Sequence, residues 1–279
     1  MAQSNTTFDQ IGIRNWLVKA ASEVGIVNPT DIQTQTIPSI LKGNHVIGGA
    51  HTGSGKTAAF ALPIIQDLAN DPYGTFCLII TPTRELAIQI TDQLKIFTAT
   101  MTIDVACLIG GTDYVQQALE LKNYPHFIVA TPGRLASLLE TPDESITTAF
   151  SNVKYLVLDE ADRFVNDDCF LPDLQIIFRF LPTNRQTLMF SATINKKMEN
   201  RVDILEGVIG EKVEETKDGE VKTSKAVVVI NLNVDIRHTI KGLEQRFMLV
   251  PDNTKEIHLV HYLKKMMKKE NGVRSCMIF

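Results

Sequence analysis

Short apolar runs alternate with longer amphipathic segments over residues 16–209. The runs cover residues 46–49, 77–80, 105–109, 127–130, 155–158 and 187–190. Buried strands of a parallel sheet read as continuous apolar stretches of this length. Between them the spacing is helical, as in the apolar series Leu86, Ile90, Leu94 and Phe97. The pattern predicts a doubly wound α/β domain with a parallel central sheet.

The pattern changes after residue 209. Residues 210–225 are polar and rich in charge, which predicts a solvated, mobile loop or linker. We expect strands at 226–230 and near 245–250, a helix at 255–269, and a strand at 276–279. A domain that starts near residue 240 would have only about 40 residues here, which is too few for an α/β fold to cover both faces of a sheet.

Three regions follow from this pattern. They are a first domain at 1–209, a polar insertion and linker at 210–240, and the start of a second domain at 241–279.

Composition narrows the class of protein. Hydrophobic residues make up 44% and charged residues 22%, as in ordinary soluble α/β proteins. The net charge of −4 argues against a broad basic face, so any nucleic-acid binding must come from a local site. The four cysteines form no CxxC pair and predict neither a zinc site nor a disulfide framework. We see no secretory signal and no apolar run of the roughly 20 residues that a membrane helix needs, and we expect no membrane association.

The strongest local signal is the segment at 50–57, Ala-His-Thr-Gly-Ser-Gly-Lys-Thr, between an apolar strand and a helical run. Its glycines let backbone N–H groups surround a polyphosphate at a helix N-terminus. Lys56 can reach the β- and γ-phosphates, and the Thr57 hydroxyl can hold Mg²⁺. The usual pattern begins with glycine where this chain has Ala50, so a glycine-rich turn is the alternative. The candidate nucleotide-binding residues are Thr52, Gly53, Ser54, Gly55, Lys56 and Thr57.

A second candidate follows the apolar run at 155–158 and reads Asp-Glu-Ala-Asp. Acidic residues at the carboxyl end of a central strand lie where open α/β sheets bind ligands. Asp159 is suited to hold Mg²⁺, and Glu160 to orient and deprotonate an attacking water. The alternative is an acidic helix N-terminus. Together with Lys56, these residues predict a site for a magnesium-bound triphosphate.

With this tetrad, the chain resembles the DEAD-box RNA helicases of superfamily 2. The further matches occur in the family's order: 25–33 (GIVNPTDIQ), 82–87 (PTRELA), 110–111 (GG), 131–134 (TPGR) and 191–193 (SAT). The resemblance implies a RecA-like P-loop domain followed by the beginning of a second RecA-like domain.

The resemblance also implies roles at the nucleotide. Gln33 would pair with the adenine edge, and Phe8 would cover the adenine face, unless it is a core residue under an N-terminal arm. Ser191 and Thr193 would couple the nucleotide site to the cleft between the domains; otherwise they only end a strand.

RNA is the partner that the resemblance implies, through contacts to the backbone that do not read base sequence. Arg84 has an alternative, an ion pair with Asp159, Glu160 or Asp162. The candidate RNA-binding residues are Pro82, Thr83, Arg84, Gly110, Gly111, Thr131, Pro132, Gly133 and Arg134.

The implied enzyme is a monomeric ATP-dependent RNA helicase. Family members complete the ATPase site with arginines of a second domain, so we expect residues 1–279 alone to hydrolyse ATP poorly. The segments at 71–77 and 117–121 resemble a nucleolar subgroup that serves small-subunit ribosome assembly, which implies rRNA processing in the nucleus, with the cytoplasm as the alternative. A protein activator or a pre-ribosomal assembly is the expected protein partner.

Three rival interpretations stay open. They are a one-domain RNA-binding module, a DNA-directed helicase of the same superfamily, and a metabolic P-loop kinase. A basic cluster at Lys264, Lys265, Lys268 and Lys269 could touch RNA or form a solvated helix face.

Overall fold

The computed structural model describes residues 6–141, 143–194, 214–215, 221–222, 227–232, 249–251 and 254–267. Its strands are β1 His45–Gly49, β2 Cys77–Ile80, β3 Val105–Leu108, β4 Phe127–Ala130, β5 Tyr155–Asp159, β6 Gln186–Ser191, β7 Glu214–Glu215, β8 Val221–Lys222 and β9 Val227–Asn231. Seven of them form one parallel sheet in the order β3-β4-β2-β5-β6-β1-β9.

Helices cover both faces of this sheet. Among the described residues of the first unit, the helices are α1 Asn15–Glu23, α2 Asp31–Leu41, α3 Lys56–Leu68, α4 Arg84–Phe97, α5 Tyr114–Lys122, α6 Pro132–Leu139, α7 Glu144–Ala149, α8 Ala161–Asn166 and α9 Leu171–Arg179. The α/β fold with a parallel central sheet, predicted as a RecA-like P-loop domain, is therefore confirmed. No helix of the described part of the chain is both long and apolar enough to cross a bilayer.

The core forms two layers, one on each face of the sheet. On β2, Cys77 and Ile79 pack into one layer while Leu78 and Ile80 pack into the other, because successive strand residues point to opposite faces. All four are fully buried, which explains why this strand reads as a continuous apolar run. On the apolar face predicted for α4, Ile90, Leu94 and Phe97 are buried, whereas Leu86 at the start of the helix is half-buried.

The seventh strand of the sheet comes from the region predicted as an insertion and linker. The run predicted at 226–230 forms β9, which pairs in parallel with β1. The chain divides into units at 1–236 and 237–279. This strand belongs to the sheet of the first unit, because the open edge of β1 accepts a β-branched segment with parallel register. The domain bounds 1–209, 210–240 and 241–279 stay a prediction.

Several predictions fall on residues outside the described ranges. Of the predicted mobile loop at 210–225, only the short antiparallel pair β7–β8 is described. The strand predicted near 245–250 is described at 249–250 only, where no strand is assigned, and the one at 276–279 lies outside. In the second unit, the predicted helix at 255–269 is confirmed as α10, Lys255–Met267. The start of a second RecA-like domain stays a prediction.

The amino edge of the sheet carries an open groove of about 1180 Å³. Within it the Tyr155 hydroxyl donates to Asp67 Oδ2 at 2.8 Å, and the Lys154 ammonium lies 2.6 Å from the same oxygen. These contacts tie the end of α3 to the start of β5. The groove is at the edge opposite the predicted nucleotide site, so it does not correspond to that site.

Candidate nucleotide and RNA sites

The loop between β1 and α3 has the backbone that a phosphate-binding loop requires. Gly53 and Gly55 have φ of 79° and 89°, a left-handed conformation that side chains with a Cβ rarely adopt. Lys56 and Thr57 are the first residues of α3, so they lie at the positive end of a long helix. The Lys56 ammonium donates to the carbonyls of Ala50 at 2.6 Å and His51 at 3.2 Å. A bound polyphosphate would compete for the same ammonium.

The sheet order brings the acidic tetrad to the same edge as this loop. Strand β6 separates β5 from β1, so their carboxyl ends are about 10 Å apart. Burial lowers the pKa of Lys56, and the charges of Asp159, Glu160 and Asp162 partly offset that shift. The parallel register of β1, β6 and β5 places the start of α3 and the residues that follow β5 at the same edge of the sheet, within range of this charge effect.

Asp159 has a raised pKa at this edge of the sheet. It is buried, and burial raises the pKa of its carboxyl to about 6, while the charge of Lys56 acts in the opposite direction. A buried carboxylate of this kind is stabilised by a cation. Mg²⁺ typically takes one or two protein oxygens together with substrate phosphates, so Asp159 and the Thr57 hydroxyl fit that ion. Larger clusters of metal-ligating side chains do not occur among the residues described above.

Glu160 has an unusual backbone conformation. Its φ of 52° and ψ of 46° are left-handed, which is uncommon for a residue that is not glycine and occurs often at functional sites. Its carboxylate pairs with Arg163 Nε at 3.0 Å, one turn later on α8. The candidate base therefore lies directly after the carboxyl end of β5. Arg163 is a neighbour that the sequence did not single out, since an arginine three residues on is common on any helix.

A hydrogen bond connects the end of β6 to the tetrad. The Thr193 hydroxyl donates to Asp162 Oδ2 at 2.7 Å. Ser191 Oγ donates to the carbonyl of Thr193 at 2.7 Å and accepts from its N–H at 3.0 Å. Both predicted coupling residues therefore contact each other, and one of them contacts the acidic tetrad.

Gln33 is attached to the phosphate loop. Its amide oxygen accepts from the N–H of Thr30 at 2.9 Å, and its NH₂ donates to the carbonyl of Gly55 at 3.0 Å. A Cβ on Gly55 would overlap that nitrogen, and the left-handed φ of 89° also favours glycine there. The amide keeps one N–H and one lone pair for a further partner.

Phe8 lies in the hydrophobic core. The ring is 1% exposed and belongs to the core layer under the N-terminal arm. This is the alternative that the sequence left open, and adenine stacking by Phe8 stays a prediction that needs the arm to move.

The candidate RNA-binding residues follow β2, β3 and β4, which are neighbours in the sheet. Thr83 caps α4 by accepting from the N–H of Leu86 at 3.3 Å, and Thr131 N–H donates to the carbonyl of Leu108 at 3.0 Å. Pro132 and Gly133 open α6. The N-termini of both helices thus lie at the carboxyl edge, where they can bind phosphate oxygens.

Arg84 lies against the two glycines rather than the acidic tetrad. Its guanidinium nitrogens lie 2.9 Å and 2.7 Å from where a Cβ of Gly110 and of Gly111 would be. Among the ion pairs of the described residues, none joins Arg84 to Asp159, Glu160 or Asp162. The glycines are thus needed for the close approach of this arginine.

Asp159 gives a stability prediction for the metal-free protein. Because its pKa is raised, the native state retains a proton that the unfolded chain loses from about pH 4 upward, so its contribution to stability falls until about pH 6 and stays low above it. We expect Asp159→Asn to raise the thermal midpoint by a few degrees at pH 7.5 in EDTA, which corresponds to about 1–2 kcal/mol. The gain should shrink as the pH falls towards 5.

The exposed Asp71 provides the control for that measurement. Asp71→Asn should leave the midpoint unchanged at both pH values, since this carboxyl lies in solvent. An Asp159→Asn protein no more stable than the parent at pH 7.5 would show that burial of Asp159 does not destabilise the fold.

Comparisons with known proteins agree with this geometry. A family model described as "DEAD/DEAH box helicase" matches residues 30–201. The chain is 40% identical over 277 residues to DEAD-box ATP-dependent RNA helicase 36 of Arabidopsis thaliana, covering 99% of this chain and 52% of that protein. It is 40% identical over 260 residues to probable ATP-dependent RNA helicase DDX49 of Homo sapiens, covering 92% and 49%.

Two further similarities concern a fungal relative and a solved structure. The chain is 50% identical over 190 residues to ATP-dependent RNA helicase DBP8 of Candida albicans, covering 67% of this chain and 43% of that protein. The structure of Mss116p (NTE and C-tail double deletion) bound to ssRNA and AMP-PNP superposes with a TM-score of 0.67 at 29% identity, covering 82% and 46%. The chain thus spans about half the length of the curated relatives named above.

Proposed function

Because the chain belongs to the DEAD/DEAH box helicase family, we propose that the full-length protein is an ATP-dependent RNA helicase. It would bind ATP·Mg²⁺ and RNA, and would couple ATP hydrolysis to the separation or remodelling of short RNA duplexes. The observation that carries this proposal is that the β1–α3 loop with Lys56 and the segment with Asp159, Glu160 and Asp162 follow parallel strands at the same edge of the sheet.

The proposed chemistry is the transfer of the γ-phosphoryl group of ATP to water. Glu160 accepts a proton from the attacking water, whose oxygen bonds to the γ-phosphorus as the bond to the β-γ bridging oxygen breaks, giving ADP and phosphate. Lys56 and the N–H groups of residues 52–56 neutralise the phosphate oxygens. A bound Mg²⁺, held by Thr57 and Asp159, would supply further charge neutralisation at the β- and γ-phosphates.

Nucleotide selection is assigned to Gln33 and Phe8. Gln33 has one N–H and one lone pair beyond its contacts to Thr30 and Gly55, which suits the N6 and N7 edge of adenine. Its hydrogen bond to the carbonyl of Gly55 would couple adenine binding to the conformation of the phosphate loop. Phe8 would cover the base after a shift of the N-terminal arm.

Coupling between ATP and RNA is assigned to Ser191 and Thr193. The Thr193 bond to Asp162 joins the last residue of the tetrad to the segment that follows β6. A change of charge at the γ-phosphate, next to the tetrad, would therefore affect this segment through the Thr193–Asp162 hydrogen bond.

RNA binding is assigned to the loops after β2, β3 and β4. Helix N-termini and the guanidinium groups of Arg84 and Arg134 suit phosphate oxygens, which explains how a chain with a net charge of −4 could bind a polyanion. Mss116p, a structural neighbour, is described as bound to ssRNA and AMP-PNP.

The cellular role follows from the resemblance to the ribosome-assembly subgroup. We assign the protein to rRNA processing in the nucleus and nucleolus, as a monomer that works with a protein activator or pre-ribosomal assembly. A tagged full-length protein that is excluded from the nucleolus would contradict this assignment.

A comparison of RNA with DNA as the stimulating nucleic acid tests the proposed function. The ATPase rate of the full-length protein should rise at least several-fold with single-stranded RNA and much less with DNA of the same sequence, because ribose 2′-hydroxyls distinguish the two. Equal stimulation would favour a DNA-directed helicase. No stimulation by either would favour a P-loop enzyme with another acceptor.

A further inference from the structure

Arg134 is held in place before any ligand arrives. Its Cζ atom lies 5.4 Å from the centre of the Tyr114 ring, within the range of a cation–π contact. One of its Nη2 N–H groups donates to the carbonyl of Thr112 at 3.0 Å. These contacts use one face and one corner of the guanidinium, and its other N–H groups lie on edges that can still donate.

The carbonyl that receives Arg134 belongs to a braced loop. Thr112 Oγ1 donates to the carbonyl of Ile109 at 2.8 Å. The buried Gln117 donates from Nε2 to Thr112 Oγ1, and to the carbonyl of Ile109 at 3.2 Å. Gln117 of α5 therefore fixes the position of the loop at 109–113.

Tyr114 is fixed as firmly as the loop. Its hydroxyl donates to the carbonyl of Ser137 at 3.0 Å and contacts Thr141 Oγ1 at 2.5 Å. Both partners belong to the end of α6 and the residues after it, while Arg134 is in the first turn of α6. The ring thus lies between the start of α5 and one side of α6, and its orientation does not depend on Arg134.

We propose that Tyr114 is a positioning residue for RNA: its ring, together with the carbonyl of Thr112, holds the Arg134 guanidinium beside the loop at 109–113 so that it meets a backbone phosphate. Arg84 lies on the two glycines of the same loop, so two guanidinium groups flank it. A long side chain that is ordered beforehand loses less conformational entropy on binding. This inference rests on the proposed RNA-binding function of Arg134.

The test is a double-mutant cycle on the full-length protein, with a fluorescent single-stranded oligouridylate as the probe. Tyr114→Leu should weaken RNA binding about fivefold in the parent and have no effect in an Arg134→Ala background. The slope of log Kd against log salt should fall by about 0.7 in either single variant, which corresponds to the loss of one phosphate contact. A residue with only a structural role would not change that slope.

Conservative variants separate the ring from the hydroxyl and from general folding effects. Tyr114→Phe keeps the ring and should bind RNA within about twofold of the parent. Arg134→Lys keeps the charge but not the planar stacking, and should approach the affinity of Arg134→Ala, a result that does not need Tyr114→Leu to fold. Tyr124→Leu, at an exposed tyrosine on the groove at the opposite edge of the sheet, is the matched control and should have no effect.

Two results would overturn the inference in distinguishable ways. If Arg134→Ala weakens RNA binding but Tyr114→Leu does not, or does so additively, Tyr114 does not position Arg134. If Arg134→Ala changes neither the affinity nor the salt slope, the RNA-binding role of this site fails as well.

Discussion

Residues 1–279 are expected to hydrolyse ATP about 10³- to 10⁵-fold more slowly than the full-length protein when RNA is present. An arginine supplied to the γ-phosphate from across a domain cleft is worth that much in rate. The chain covers about half the length of the curated relatives named above, and the start of α3 places Lys56 at the same edge of the sheet as the acidic tetrad. Steady-state ATPase measurements on the two proteins, at saturating RNA, check this.

The same pair of proteins separates binding from turnover. Residues 1–279 should still bind a fluorescent ADP analogue, since Gln33 and the phosphate loop lie within the first unit. If the short chain turns over ATP as fast as the full-length protein, then hydrolysis needs no group from a second domain, and the proposed division of labour is wrong.

Glu160→Gln is expected to lower RNA-stimulated turnover of the full-length protein by about 10²- to 10⁴-fold, because general-base catalysis is worth that range. Affinity for ATP should change little, since the amide keeps the shape of the side chain. The lost pairing with Arg163 is partly exposed and contributes little to stability.

The exposed Glu140 is a matched site for that experiment. Glu140→Gln, at the end of α6, should leave turnover at the parent level. A Glu160→Gln protein with near-parent turnover would assign the proton to another group.

The sheet was predictable because its strands are buried on both faces. Residues 77–80 supply alternate side chains to two core layers, so no polar residue interrupts the apolar run. The position of β9 was not predictable in this way. Its valine-rich run looks the same whether it pairs with β1 or belongs to a linker, and only the open edge of β1 decides.

The backbone features of the proposed nucleotide site were predictable because they are local in sequence. Gly53 and Gly55 mark a left-handed loop, and Lys56 follows at the helix start. Asp159 and Glu160 end a buried strand, so parallel topology sends both groups to one edge.

The supporting contacts depend on side-chain packing, and the sequence does not reveal them. Nothing in the spacing of Tyr114 and Arg134 predicts that one ring would hold the other residue's guanidinium. Gln117 looks like an ordinary polar helix residue, yet it is buried and bonds the loop that precedes its helix. The resemblance assigns Phe8 to the adenine face, but the core buries it.

The most direct measurement is the affinity of the protein for a fluorescent ATP analogue, with Mg²⁺ and with EDTA, in Lys56→Ala and in Lys42→Ala. Lys42 is an exposed lysine on the groove at the opposite edge of the sheet. We predict that Lys56→Ala weakens Mg²⁺-dependent binding by about 100-fold or more, as the loss of a charged donor in a preorganised site does, and that Lys42→Ala has no effect. Equal affinity in the two variants would contradict the claim that the β1–α3 loop and the acidic tetrad form one triphosphate site.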